Sequence, residues 1–166
     1  MTALRLGRLD VQLEPGGTHR PTRIAMTGRI DDSAAVSGLA AQVPEGAVVI
    51  DTGGVTFVNS VGMREWIRLV RSLHQRGGRV LLERVADVLM TQINMIQEFR
   101  DTVQIRSFHA QYVCPACGAE AAPLVDAVAN ADALRELRPP RLPCPECGAE
   151  MELGDFPERY LSVFRP

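Results

Sequence analysis

The chain has 166 residues, of which 46% are hydrophobic and 23% are charged, and its formal net charge is −2. This composition predicts a folded protein and argues against both a disordered chain and a broadly basic nucleic-acid binder. No apolar run reaches the roughly 18 residues of a membrane span, and the first residues lack the apolar region of a secretory signal. We therefore expect a cytoplasmic protein. All 18 basic residues are arginine, which excludes chemistry that needs a lysine, such as Schiff-base catalysis.

The N-terminal segments predict a hairpin, a short helix and a buried strand, in that order. Apolar residues alternate over residues 4–13 and 23–27, on either side of a run of turn formers, and this pattern predicts a β-hairpin. Asp32 or Ser33 can begin a short helix that reaches about residue 43. The uninterrupted β-branched run at residues 48–50 predicts a strand that is covered on both faces.

The next stretch predicts a turn followed by an amphipathic helix. Gly53 and Gly54 predict the turn, Asn59 and Ser60 are good helix N-caps, and the helix is expected over residues 61–75. One apolar stripe runs along it, formed by Met63, Trp66, Ile67, Val70 and Leu73. The glycine pair that follows the helix predicts its C-terminal end.

Strands and helices continue to alternate as far as residue 108. We expect a strand over residues 79–83, a helix over residues 86–96 and a last strand over residues 103–108. This order predicts an α/β fold with a mixed, mostly parallel sheet, helices and an antiparallel edge.

The character of the sequence changes near residue 108, where we place a domain boundary. Residues 1–108 hold 13 arginines and 11 acidic residues, a net charge of +2, whereas residues 109–166 hold 5 arginines and 9 acidic residues, a net charge of −4. We therefore divide the chain into a first domain and a small second module. A final helix beginning near Asp155 would have Tyr160, Leu161 and Phe164 on one face, and we expect that face to dock on a neighbouring surface.

All four cysteines lie in the second module, in two near-identical CPxCG motifs. Cys114 and Cys117 form one pair, and Cys144 and Cys147 form the other. Two such pairs predict a tetrahedral four-sulfur site that suits one Zn²⁺ per chain. Because protein ligands would fill every position, the zinc is expected to be structural and the module to be a zinc ribbon.

Two other functions for the cysteine module stay open at this point. Iron in the same cage would make it a rubredoxin-like redox or electron-transfer protein, although the segment between the motifs lacks the aromatic residues typical of rubredoxins. Zinc ribbons also bind nucleic acid, but the net charge of the module argues against that role.

Three motifs in residues 4–108 resemble the STAS domain of anti-sigma factor antagonists. They are the GRID sequence at residues 28–31, the VVID and VTFVNSVG sequences within residues 48–62, and the GGRV sequence at residues 77–80. The resemblance implies a STAS-like fold and a bacterial regulatory module, not an enzyme, acting in signal transduction and transcription regulation. It also implies a protein partner, either an anti-sigma factor with switch-kinase activity or a sensory complex.

The sequence departs from this family at its phosphorylation site. Where the family has DSSG, this chain has Asn59, Ser60, Val61 and Gly62, so that Val61 stands in the place of the phosphorylated serine. Ser60 is then the candidate phosphorylation site, although serine is also common as a simple capping or turn residue. The partner-binding residues are expected to be Asp31, Asn59, Ser60, Val61, Gly62 and Arg64.

Overall fold

The computed structural model describes residues 1–166 and is built on one six-stranded sheet. Its strands lie side by side in chain order, and they are β1 (Thr2–Leu6), β2 (Leu9–Glu14), β3 (Thr22–Ile30), β4 (Val48–Val58), β5 (Val80–Glu83) and β6 (Val103–Ile105). The pairs β1–β2 and β2–β3 are antiparallel, whereas β3–β4, β4–β5 and β5–β6 are parallel. The predicted α/β class, with a mixed and mostly parallel sheet, is therefore confirmed.

The helices cover the sheet and bury their apolar faces against it. They are a 3-10 helix (Val36–Gln42), α1 (Ser60–Gln75), α2 (Asp87–Ile93) and α3 (Phe99–Thr102). The predicted stripe of α1 is confirmed, since Met63, Trp66, Val70 and Leu73 are buried and Ile67 is half-buried. Not one of the helices combines the length and the apolar character needed to cross a membrane.

The predicted turn at Gly53 and Gly54 is wrong, because β4 continues through both residues to Val58. A register shift between β3 and β4, where Ala25 pairs with Asp51 and Thr27 with Gly54, accommodates the glycines within the parallel pair. A Cβ atom on Gly54 would lie 2.5 Å from the Thr27 hydroxyl oxygen. This glycine therefore allows the two strands to approach closely, and it does not reverse the chain.

Other predicted boundaries also shift. Residues 4–13 form two strands and not one, because Gly7 turns the chain at a φ of +61°. The helix expected from Asp32 or Ser33 is the shorter 3-10 helix, and the helix expected over residues 86–96 ends earlier, at Ile93. The strand expected over residues 103–108 breaks after Ile105, so that its second half leaves the main sheet.

The remaining chain forms two small sheets and two short helices. The elements are β7 (Ser107–His109), β8 (Tyr112–Val113), β9 (Glu120–Ala121), β10 (Leu124–Asp126), α4 (Ala131–Arg135), β11 (Leu142–Pro143), β12 (Glu150–Leu153) and α5 (Pro157–Tyr160), with a last 3-10 helix (Ser162–Phe164). Strand β7 pairs with β10, and the second small sheet has the order β11-β12-β8-β9. The proposed boundary at residue 108 lies inside β7, and one hydrophobic core holds buried residues from both sides of it.

The C-terminal segment packs back onto the first part of the chain, as its apolar pattern predicted. Tyr160 and Leu161 are buried, and the ring of Phe164 lies 5.2 Å from that of Phe108, centroid to centroid. The side chain of Asn94, just after α2, accepts a hydrogen bond of 2.9 Å from the backbone N–H of Val163. The predicted helix itself is shorter than expected, since α5 contains only four residues.

Candidate functional site

The start of α1 is held against the end of β3 by a short chain of hydrogen bonds. The side-chain oxygen of Asn59 accepts a hydrogen bond of 2.8 Å from the backbone N–H of Gly62, as a helix N-cap does. The backbone N–H of Asn59 donates to the Ile30 carbonyl at 3.3 Å. Asn59 is thus the N-cap that the sequence predicted, and Ser60 is the first residue of the helix. We call Asp31 together with residues 59–64 the partner corner.

Gly62 fixes how closely α1 approaches β3. A Cβ atom at this position would lie 1.8 Å from the Ile30 carbonyl oxygen, a distance at which the backbone has to move. Gly62 is buried in the first turn of the helix, the same turn that holds Ser60 and that Asn59 caps. Glycine is therefore required here for close packing, which the resemblance alone did not reveal.

Asp31 lies beneath the surface of the corner and is only 1% exposed. Its carboxylate accepts hydrogen bonds from the Ser33 backbone N–H at 3.0 Å and from the Ser33 hydroxyl at 2.5 Å. The Nε atoms of Arg8 and Arg29 each lie 3.3 Å from the same carboxylate. The sequence predicted Asp31 as a partner-binding residue, and the structure places it where it orients two arginines that reach the surface.

These contacts hold Asp31 in its charged form. The Ser33 hydroxyl, with further help from the Ser33 backbone N–H and the two arginines, lowers the pKa of Asp31 below its ordinary value. A carboxylate with a lowered pKa stabilises the fold above the pKa of the unfolded chain, about 3.9, and loses that contribution as the pH falls through the folded value.

We expect Asp31→Asn to be less stable than the wild type at pH 7, because the ion pairs are lost. The gap should narrow as the pH falls from about 3.9 through the lowered pKa of folded Asp31, because the carboxyl group is protonated first in the unfolded chain and then in the folded one. Melting temperatures of the variant and the wild type from pH 7 to pH 2 measure this difference in stability. The control is Asp32→Asn, at the exposed neighbouring residue, which should have little effect. A gap of constant size over the whole range would show that Asp31 does not act through its charge.

The surface of the corner combines an apolar side chain with polar and basic ones. Val61 is 42% exposed, and Ser60 and Arg64 are exposed beside it. Arg64 forms no ion pair within the chain, whereas Arg68 pairs with Glu65 at 2.9 Å. Sequence reasoning named these corner residues but had no signal for Arg8, which comes from the turn between β1 and β2.

A second basic residue that the sequence did not single out is Arg29. Its guanidinium carbon lies 3.8 Å from the centre of the Phe57 ring, which makes a cation–π contact on the same edge of β3 and β4. This contact, together with the ion pair to Asp31, fixes the Arg29 side chain in place beside the corner.

The four cysteines come together as their spacing predicted. All four sulfur atoms lie within 4.8 Å of one another. The sulfur atoms of Cys114 and Cys147 are 3.6 Å apart, and those of Cys117 and Cys144 are 3.7 Å apart. A tetrahedral ion with metal–sulfur bonds of about 2.3 Å needs sulfur–sulfur distances of about 3.8 Å. The cluster is therefore able to hold a metal ion.

Both cysteine motifs form the same tight turn. The N–H of Gly118 donates to the Cys114 carbonyl at 2.8 Å, and the N–H of Gly148 donates to the Cys144 carbonyl at 2.9 Å. The two glycines have φ values of +76° and +77°, a conformation that favours glycine. The repeated CPxCG sequence thus yields two equivalent pairs of ligands that face one centre.

The environment of Cys114 favours its thiolate. The backbone N–H of Cys117 hydrogen-bonds to the Cys114 sulfur and lowers the pKa of that thiol to about 7. Although the backbone N–H groups of Ala119 and Ala149 act in the opposite direction, the neighbouring thiols raise the pKa values of Cys117 and Cys147. Metal ligation requires thiolates, so that metal binding has to displace protons from the cluster.

No protein-family model and no curated protein sequence matches this chain. Among solved structures, the chain is similar to the anti-sigma factor antagonist SpoIIAA in its unphosphorylated form. The two have 19% sequence identity and a TM-score of 0.40, over 57% of this chain and 86% of that chain. A likeness of this size carries no inference about function.

Proposed function

We propose that the protein is a non-enzymatic, protein-binding regulatory module of the anti-sigma factor antagonist type, with a structural zinc site. The observation that carries this proposal is the partner corner, where Ser60, Val61 and Arg64 are exposed on a helix start that Asn59 and Gly62 hold rigidly. Rigid presentation lowers the entropy that a partner must overcome on binding. The motif resemblance in residues 4–108 supplies the class of partner, an anti-sigma factor with kinase activity or a larger sensory complex.

The phospho-switch is altered in this chain. Val61 has no hydroxyl group, so the only hydroxyl among corner residues 59–64 is that of Ser60. A phosphate on Ser60 would lie at the positive end of α1, and Arg64, one turn further and unpaired, is placed to bind it. The corner therefore either binds its partner constitutively, or is switched through Ser60.

Zinc is the metal that best fits the cysteine cluster. Four thiolates in tetrahedral arrangement suit Zn²⁺, and a site with four protein ligands leaves no position for a substrate. The ion would be held by Cys114, Cys117, Cys144 and Cys147, one per chain, and would supply cross-links and no catalysis. An S₄ site also accepts iron, and the colour of the purified protein distinguishes the two metals.

The partner corner is tested by affinity purification from the native cells with variants of the exposed apolar residue. We expect the wild-type chain to recover a switch kinase, an anti-sigma factor or a sensory complex, and Val61→Asp to lose it, because a charge is placed at the centre of the corner. Leu124→Asp is the matched control, since Leu124 is exposed to a similar degree, 46%, on β10. Quantitative mass spectrometry measures the recovered partner.

Two results would contradict the proposal. The first is recovery of the same partners, in equal amounts, by Val61→Asp and the wild type. The second is the absence of any such regulator from both. Incubation with the recovered kinase should leave the chain unmodified or modified only at Ser60, and phosphate at Thr56 would show that the alignment with the family motif is shifted.

A further inference from the structure

The outer edge of the main sheet is only partly covered. Strand β6 is the last of the six strands, and no strand pairs with its outer side. Strand β10 pairs with β7, which follows β6 in the chain. One further hydrogen bond, from the N–H of Ala127 to the Arg106 carbonyl at 2.9 Å, continues this pairing towards the end of β6. The chain then turns away, because the Asp126 carboxylate accepts 2.9 Å hydrogen bonds from the N–H groups of Val128 and Ala129. No strand pairs with the edge at Val103–Ile105, although the N–H of Val103 already donates to the Phe99 carbonyl.

A cleft of about 330 Å³, lined by apolar and arginine side chains, lies along this edge. Strand β6 lines it on one side, and apolar side chains from the cysteine module and the C-terminal segment line it on the other. They are Ala127, Val128, Ala131, Val163 and Phe164. Val128 is 58% exposed at the mouth, so that the cleft presents apolar surface to solvent.

The rim of the cleft carries only positive charge. Arg100, Arg135 and Arg165 line it, and no acidic side chain does. Arg100 and Arg165 form no ion pair within the chain, and Arg135 pairs at 3.5 Å only with Asp132, whose side chain is 94% exposed. The cleft is thus locally positive, although the net charge of the whole chain is −2. The cleft is therefore complementary to an anionic occupant with an apolar part.

We propose that this cleft binds an extended acidic peptide segment of a partner protein, which adds as a strand to β6. An open strand edge offers backbone hydrogen bonds to an extended chain. Alternate side chains of such a strand point to opposite faces, so that apolar residues can enter the cleft while acidic ones reach the arginines. The site is separate from the partner corner and does not depend on the function proposed for it.

A fluorescein-labelled peptide of six alternating glutamate and valine residues provides the probe, and fluorescence polarisation with the full zinc-loaded chain measures its affinity. We expect binding that weakens about tenfold or more in the triple variant Arg100→Gln/Arg135→Gln/Arg165→Gln, because each exposed ion pair contributes a factor of up to about five. Arg5→Gln, an exposed arginine on β1 at the opposite edge of the sheet, is the control and should bind as the wild type does.

Two modified peptides separate the charge from the backbone pairing. The glutamine–valine peptide should bind about tenfold more weakly or worse, and an N-methylated glutamate–valine peptide should not bind, because it lacks the N–H groups that pair with a strand edge. Equal affinity for the glutamate and N-methylated peptides, or an unchanged affinity in the triple variant, would overturn the proposal. Binding of decanoate without binding of the peptide would also overturn it, in favour of a small amphipathic anion.

Discussion

Removal of the proposed zinc, by a chelator or by Cys114→Ser, should release residues 110–166 from the core while β2 to β5 remain folded. The apparent binding energy of structural zinc, about 10–16 kcal/mol in zinc-finger peptides, is as large as the whole stability of a typical domain, about 5–15 kcal/mol. The cysteine module has only two-, three- and four-residue strands, so that we expect much of its cohesion to come from the metal cross-link.

The C-terminal segment should be released together with the module, because it follows directly from β12. Its anchors are the Tyr160 hydroxyl, which donates to the His109 carbonyl at 3.1 Å, and the hydrogen bond from the Val163 N–H to Asn94. Hydrogen exchange with mass spectrometry measures the protection of residues 110–166 and of β2 to β5 in one experiment. Before treatment, the protein should be colourless, and metal analysis should give one zinc per chain.

Glu146→Gln is the matched control for Cys114→Ser, because it changes an exposed residue between two ligands and removes no ligand. It should keep its zinc and its protection from exchange. Persistent protection of Val163 without metal would show that the segment docks independently of the cluster. Loss of protection in β2 to β5 in the same transition would show that the cysteine module is an integral part of the fold, and that the division at residue 108 is not a domain boundary.

The parts of the fold that were predictable from the sequence are those decided by local pattern. The stripe of α1, its Asn59 cap and the buried run at residues 48–50 each have one physical explanation, and the structure agrees with it. Gly53 and Gly54 show the limit of this reasoning. Glycine favours both a turn and a close approach of two backbones, and only the position of Thr27 on the neighbouring strand decides between them.

The candidate sites also differ in how far the sequence predicted them. The cysteine cluster was predictable because its ligands come in short repeated motifs, whose spacing reflects the geometry of the site. The ion pair between Arg8 and Asp31, which supports the partner corner, was not predictable from the sequence. The two residues are 23 positions apart, and no motif connects them. The cleft at β6 brings together segments near residues 100, 130 and 164, and no pattern along the chain connects them.

Gly62→Ala should destabilise the protein by about 3 kcal/mol, the upper part of the usual range for overpacked sites. Helix propensity alone favours alanine over glycine by about 1 kcal/mol, so the two effects have opposite signs and the measurement decides between them. Denaturation by urea, with zinc present throughout, gives the free energy of unfolding. We expect the packing effect to be larger because the new Cβ would meet the Ile30 backbone carbonyl, at 1.8 Å, and not a flexible side chain.

Gly38→Ala is the matched control, because this residue also lies in a helical segment and its Cβ atom would meet nothing within 4 Å. Its substitution should be neutral or stabilise the protein by up to about 1 kcal/mol. A stabilising effect of Gly62→Ala would mean that α1 does not approach β3 this closely, and the rigid corner would lose its basis. If the expected loss is found, Gly62→Ala should also weaken partner recovery, because moving α1 away from Ile30 displaces Asn59, Ser60 and Val61 together.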